Sequence, residues 1–153
     1  MFHRYRYEAE FYPALSRLPL DVRRKLDIAG IKLALKDWLA FSFEERMVLC
    51  HLPCDGDEES QVFINYLDFL SRKYRGAPIE SIERLDAARW SPAALPQAVG
   101  ERSAALNLPV ALEQWRCWES HERYALYKTA VSKNQPEAFE QVLAQLLGSR
   151  DDC

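Results

Sequence analysis

Residues 38–46 read "WLAFSFEER", and 77 residues later the chain reads "WRCWESHER" at 115–123. Each copy has a Trp, an aromatic three residues on, and a closing Glu-Arg pair. Sliding the sequence on itself by 77 brings Leu18, Pro19, Val22, Ala34, Leu35, Trp38, Glu45, Arg46 and Leu49 onto identical residues, nine matches between 18 and 49. Pairing at ordinary composition would give roughly two. Ile31 with Leu108, Leu33 with Val110, and Phe41 with Trp118 add similar pairs. Gly30 meets Asn107, and Gly and Asn are the residues that best tolerate the left-handed conformation ending many helices. The inferred unit is a helix, a left-handed cap, an extended turn carrying Trp, and a helix opening on Glu-Arg.

The expected architecture is therefore all-α. We expect a single compact helical domain over 1–153, built from two pseudo-symmetric repeats at about 18–52 and 95–131, packed about an approximate two-fold axis around a central helix. Residues 8–17 are expected to form a short first helix with Pro13 in its opening turn. Pro19 suits the start of the next helix and Gly30 its end. Residues 31–33 are expected as an extended approach, with a helical turn around 34–40. Ser42 and Glu45 have capping-box spacing before a helix running to about Leu52. Asp57 opens the clearest helix, with Phe63, Tyr66, Leu67, Leu70 and Tyr74 at helical spacing and Gly76 closing it. A shorter helix is expected over 80–89, a connection over 90–97, and a last helix from Pro136 to Gly148. Ser42 is matched by Glu119, a poorer cap, so Ser120 is expected to take over.

Composition narrows the function classes. At 153 residues the chain has the length of one domain. A net charge of -3 gives no broad electrostatic reason to bind nucleic acid. No stretch approaches the roughly 20 apolar residues of a membrane span, and "MFHRYRYEAEF" lacks the apolar core of a secretory signal. The expectation is a cytoplasmic protein with reduced thiols.

The chemistry-bearing residues do not assemble into a catalytic set. Trp38 and Trp115 read first as core anchors whose indole N–H groups need acceptors, and second as ligand-stacking residues of a pocket between the repeats. Glu45 and Glu122 fit helix starts, where a carboxylate complements the backbone dipole. Arg46 and Arg123 are expected to reach across the junction between repeats to carboxylates. "CHLPC" at 50–54 offers Cys50, His51 and Cys54, with Cys117 as a fourth ligand, for a metal or redox site; buried thiols are the default reading. His3, His51 and His121 are scattered, and no glycine-rich phosphate loop is present. The reading is of a non-enzyme without cofactor.

"YEAEF" at 7–11, followed by "LPLDVRRKLDIAGIKLALKDWLAFSFEERMVLCHLPC" at 18–54, resembles the nitrate reductase-associated protein family. The family-like positions are Pro19, Val22, Arg23, Lys25, Leu26, Asp27, Gly30, Ile31, Lys32, Leu33, Trp38, Glu45, Arg46, Pro53 and Cys54. "QWRCWESHERYALYK" at 114–128 agrees more loosely. Many members carry Cys before the glycine where this chain has Ala29, so no thiol role is carried to that position. The resemblance implies a small bacterial protein linked with assimilatory nitrate reduction and molybdenum-cofactor enzymes. Such a protein would act as an accessory or maturation factor that docks on the reductase or its cofactor machinery. No catalytic residue comes with it. Arg23, Lys25, Lys32 and Lys36 are the expected basic docking face, mainly accelerating encounter with an acidic partner.

Overall fold

Pro19 and Gly30 bracket the first helix, as their backbone preferences demand. In the computed structural model, which describes residues 1–133 and 135–149, α1 spans Leu20–Ala29. Gly30 takes the left-handed conformation (φ 75°) and its amide donates to the Leu26 carbonyl. The chain packs as two compact units, Met1–Arg4 with Glu8–Asp86 and Tyr5–Tyr7 with the residues from Ala87 onward.

In the first unit, α1 is followed by a two-residue strand, β1 (Ile31–Lys32), then α2 (Leu35–Ala40), α3 (Phe43–His51) and α4 (Asp57–Arg75). Ser42 and Glu45 form the complete capping box at the start of α3. Gly76 closes α4 in the left-handed conformation. The core joins Val22, Leu26 and Ala29 of α1 to Phe63, Leu67 and Leu70 of α4, with Trp38, Phe41 and Leu49. Each buried Val, Leu or Phe among them stabilises the unit by roughly 1.5–3 kcal/mol relative to exposure.

Two expectations in this unit fail for one reason: backbone groups find distant partners. Residues 8–17 are not a helix; a 3-10 turn at Arg6–Glu8 leads into irregular turns. The carbonyls of Ala14 and Leu15 accept from Arg46 and Trp38 instead of from a following helical turn. Residues 80–89 are not a helix either. Glu80–Ser81 form β2, antiparallel to β1 with Ile31 opposite Ser81. The amides of Ile82 and Leu85 then donate to the carbonyls of Gly30 and Asp27 at the end of α1. The strand partner invisible in residues 31–33 alone is thus supplied fifty residues away.

The second unit holds a 3-10 turn at Ala87–Trp90, then α5 (Gln97–Ala105), α6 (Leu112–Cys117), α7 (Ser120–Val131) and α8 (Pro136–Gly148). Asn107 has φ 58°. The Asn107 amide donates to Ala104 and the Leu108 amide to Ser103, the paired bonds of a Schellman cap. α8 buries Phe139, Val142, Leu143 and Leu146. It packs against α7, which also meets α5. The N-cap of α7 is Glu119 rather than Ser120, because Ser120 is already helical. The Glu119 amide donates to the carboxylate of Glu122 (2.9 Å), the half of a capping box that does not need a serine.

Candidate functional site

The Trp and Glu-Arg residues of each unit form a hydrogen-bonded elbow. Trp38 is fully buried, and its indole N–H donates to the Leu15 carbonyl at 2.7 Å. Leu15 is itself fully buried with φ 49°, a left-handed conformation unusual for a residue with a side chain. Arg46 sits on α3 and donates to the carbonyls of Trp38 (3.0 Å), Leu39 (2.8 Å) and Ala14 (3.1 Å). One guanidinium therefore ties the last turn of α2 to the segment before α1. The end of a six-residue helix leaves carbonyls unpaired, and a planar fork of donors suits them.

The second unit repeats these contacts. Trp115 is fully buried and donates to the Ser91 carbonyl at 2.7 Å. Arg123 donates to the carbonyls of Trp90 (2.7 Å) and Trp118. Burial lowers the Arg123 pKa, partly offset by Glu122. The indoles lie 77 positions apart, whereas their acceptors, Leu15 and Ser91, lie 76 apart. The segment from Ser91 to Pro96 is one residue longer than that from Leu15 to Pro19. Neither Arg46 nor Arg123 shows the carboxylate partner expected of it in these bonds; each binds main-chain oxygens of its own unit.

Glu45 has more than a capping role. Its carboxylate accepts from the Ser42 amide (2.8 Å), from Lys73 (2.9 Å) and from the Tyr74 hydroxyl. Burial alone would raise its pKa, but the donors from Tyr74, Lys73 and Ser42 outweigh it and hold the group down at about 2. Glu45 thereby fastens the start of α3 to the end of α4.

Lys25 corrects the expected docking face. Its side chain is wholly buried, and the ammonium donates to the carbonyls of Leu49 (3.2 Å) and Cys50 (2.6 Å) in the last turn of α3. Asp21 lies 3.8 Å from it and accepts from Arg24 (2.9 Å) and the His3 amide (3.0 Å). Burial lowers the Lys25 pKa, partly offset by Asp21. Arg102, 77 positions on, does the equivalent in the second unit. It donates to Thr129 (3.1 Å) and Ala130 (3.2 Å), which stand as far from the end of α7 as Leu49 and Cys50 do from the end of α3. In both units a cation caps the C-terminal carbonyls of the Glu-Arg helix, where the dipole favours positive charge. The signal was present as a basic residue in each copy, but the run "VRRK" reads as a solvated face. Arg23, Lys32 and Lys36 are exposed.

Glu8 is a further buried titratable group that spacing did not reveal. Its oxygens accept from the Tyr12 hydroxyl (2.7 Å) and from the Leu20 amide at the start of α1 (2.9 Å). Burial raises its pKa to about 7, against the pull of those donors and of Arg23.

The thiols of "CHLPC" lie in the core of the first unit. Cys50 is 0% and Cys54 1% exposed, and Cys54 pairs with the Ser60 hydroxyl at 3.2 Å. Burial pushes the Cys50 thiol up to about 12 and raises that of Cys54. Both thiols are thus enclosed in the packed core rather than presented at the surface, and burial disfavours the thiolate that reactivity needs. His51 is exposed and stacks edge-on against Phe2. Cys50 and Cys54 are free, as expected, whereas Cys117 is disulfide-bonded and so is not a free fourth ligand.

Among the described residues, the ligand atoms that come together are those of Glu119, His121 and Glu122 at the start of α7. There the helix amides point outward and Glu122 already accepts one of them. This end of a helix attracts anions and opposes a cation, so the acidic pair reads as capping. A depression of about 330 Å³ in the second unit is lined by Arg6, Tyr7, Gln141, Ala144 and Gln145, and neither elbow indole borders it.

No helix among the described residues is long and apolar enough to cross a membrane. Neither a curated protein nor a solved structure matches the chain. A sequence model of one family does match, over residues 4–146, covering both elbows, the buried cations and the thiols. The chain belongs to the family of conserved nitrate reductase-associated proteins.

Proposed function

We propose that the protein is a non-catalytic accessory or maturation factor of assimilatory nitrate reductase, acting by docking on the enzyme or on its molybdenum-cofactor machinery. Family membership carries this reading. The geometry supports it in a specific way. Trp38, Glu45, Arg46, Trp115, Glu122 and Arg123 bind backbone atoms or neighbouring side chains within their own units. The buried Lys25, Cys50 and Cys54 are likewise engaged in packing. The basic residues that face outward within the family-like block include Arg23, Lys32 and Lys36. These three, without Lys25, form the basic face for an acidic protein surface, and their contribution is to encounter rate more than to affinity. Lys32 keeps a loose contact with Glu80 at 4.0 Å, both ends well exposed, and such a contact yields readily to a partner. The cytoplasm is the compartment this role implies.

The test is affinity capture from nitrate-grown cells with the tagged full chain. The reading expects nitrate reductase or a cofactor-synthesis protein among the captured proteins, at a yield reduced by reversing Arg23, Lys32 and Lys36 together. Capture of neither, or a yield indifferent to the reversal, would contradict it.

A further inference from the structure

The helix α4 has two apolar faces, and the first unit uses one. Ser60, Phe63, Leu67, Leu70 and Ser71 are buried. About 100° around the helix from Phe63, Leu67 and Leu70, at 100° per residue, Val62, Tyr66 and Phe69 form a second stripe, whose Tyr66 is half-buried against the edge of the same core. Val62 is 55% and Phe69 57% exposed, and the Tyr66 and Phe69 rings stack with centroids 6.4 Å apart. Single exposed apolar residues need no explanation, but a stripe with two stacked aromatics marks a surface that is covered in use.

The charges along the same helix indicate what covers it. Asp57, Glu58 and Glu59 crowd the first turn, and Arg72, Lys73 and Arg75 the last. Turn a second copy of α4 antiparallel about a two-fold axis midway between Asn65 and Tyr66. Val62 then faces Phe69 of the other copy, Glu58 faces Lys73, and Glu59 faces Arg72. A single helix is thus complementary to itself in both apolar pattern and charge, which is what a two-fold interface requires. The helix dipoles run opposed in that arrangement, which is favourable. Lys73 already serves Glu45 (2.9 Å) and Arg72 serves Asp68 (2.8 Å) within the unit, yet both remain exposed with donor hydrogens to share.

We propose that the chain forms a two-fold dimer through antiparallel α4 helices, seated on Val62, Tyr66 and Phe69 and registered by Glu58 against Lys73 of the second copy. The contact runs along roughly 22 Å of helix. One helix face is a smaller contact than the ~800 Å² per partner of a standard stable interface, so the dimer is weak and dissociates on dilution.

Sedimentation velocity of the full chain over a concentration series tests this. The wild type is expected to move from 17.8 kDa toward twice that mass as concentration rises. Phe69→Glu, on an exposed site, is expected to stay monomeric with an unchanged helical spectrum. Glu58→Lys and Lys73→Glu are each expected to raise the dissociation constant about tenfold, because every swapped pair occurs twice. Mixing those two variants restores both pairs in a heterodimer, so dimer is expected to return on mixing. A wild type that stays monomeric to ~0.5 mM overturns the proposal. So does a dimer that survives Phe69→Glu, or a pair of charge variants that mixing does not rescue.

Discussion

Replacing Lys25 with methionine removes a charge while nearly keeping the side chain's volume, so the cavity cost is small and the electrostatic role is isolated. Two carbonyls, those of Leu49 and Cys50, lose their donor. Each buried acceptor left unpaired costs about 1–3 kcal/mol. Asp21 loses one of two neighbouring cations but keeps Arg24 at 2.9 Å and the His3 amide at 3.0 Å. Against these losses stands relief from holding an ammonium in a site with no solvent exposure, several kcal/mol in itself. Breaking one side of a buried ion cluster usually destabilises, and we place Lys25→Met at about 2–4 kcal/mol. For a chain of this length each kcal/mol moves the midpoint by about 2–4 °C, so thermal unfolding should shift down by roughly 5–15 °C. The control is Lys32→Met, at a side chain that is 65% exposed with its ammonium 4.0 Å from Glu80. That change should stay within about 0.5 kcal/mol. Circular dichroism melts of both variants decide the matter. Equal melting points for the two would refute the reasoning, since the buried ammonium would then contribute nothing net to the end of α3.

Gly30 should resist substitution for two reasons, its φ of 75° and a Cβ that would meet the Ile82 carbonyl and the Arg84 Cγ, both at 2.8 Å. Gly30→Ala should cost about 2 kcal/mol or more in urea unfolding, whereas Asn107→Gly, at φ 58°, should be close to neutral. Glu8 sets a pH dependence whose sign is fixed by its raised pKa, about 7 folded against an ordinary 4.5. The folded chain holds the extra proton, so this stability is complete below about 4.5 and is lost as pH rises through 7, about 3 kcal/mol in all. Glu8→Gln should flatten the urea midpoint across that window. Cys50 and Cys54 should react with a thiol reagent at pH 7.5 only as fast as the native unit opens; rapid native labelling would refute their assignment as core thiols.

Local devices were legible in the sequence because their causes are local. Pro19 with Gly30, Ser42 with Glu45, and Gly76 after an apolar periodicity each specify a helix end within a few residues. The left-handed Asn107 was legible through the echo with Gly30. Residues 80–89 were misread because their amides are claimed by carbonyls of Gly30 and Asp27, a pairing no window of that segment contains. Lys25 was misread because a lysine beside two arginines implies solvent, and only the carbonyls at the end of α3 explain its burial. The one-residue slip between Leu15 and Ser91 hid the acceptors of both indoles at an offset of 77. The docking face depends on what lies outside the chain, so its residues could be named from charge but not ranked.

The most direct measurement is nitrate reductase activity in extracts of cells lacking this gene, assayed with and without the purified protein. The account predicts reduced activity that the wild-type protein raises. It predicts no such rise from a chain with Arg23, Lys32 and Lys36 reversed to Glu, although that chain keeps the wild-type helical spectrum at the assay temperature. Unchanged activity on deletion, or full restoration by the reversed variant, would contradict a protein whose exposed basic face serves the reductase.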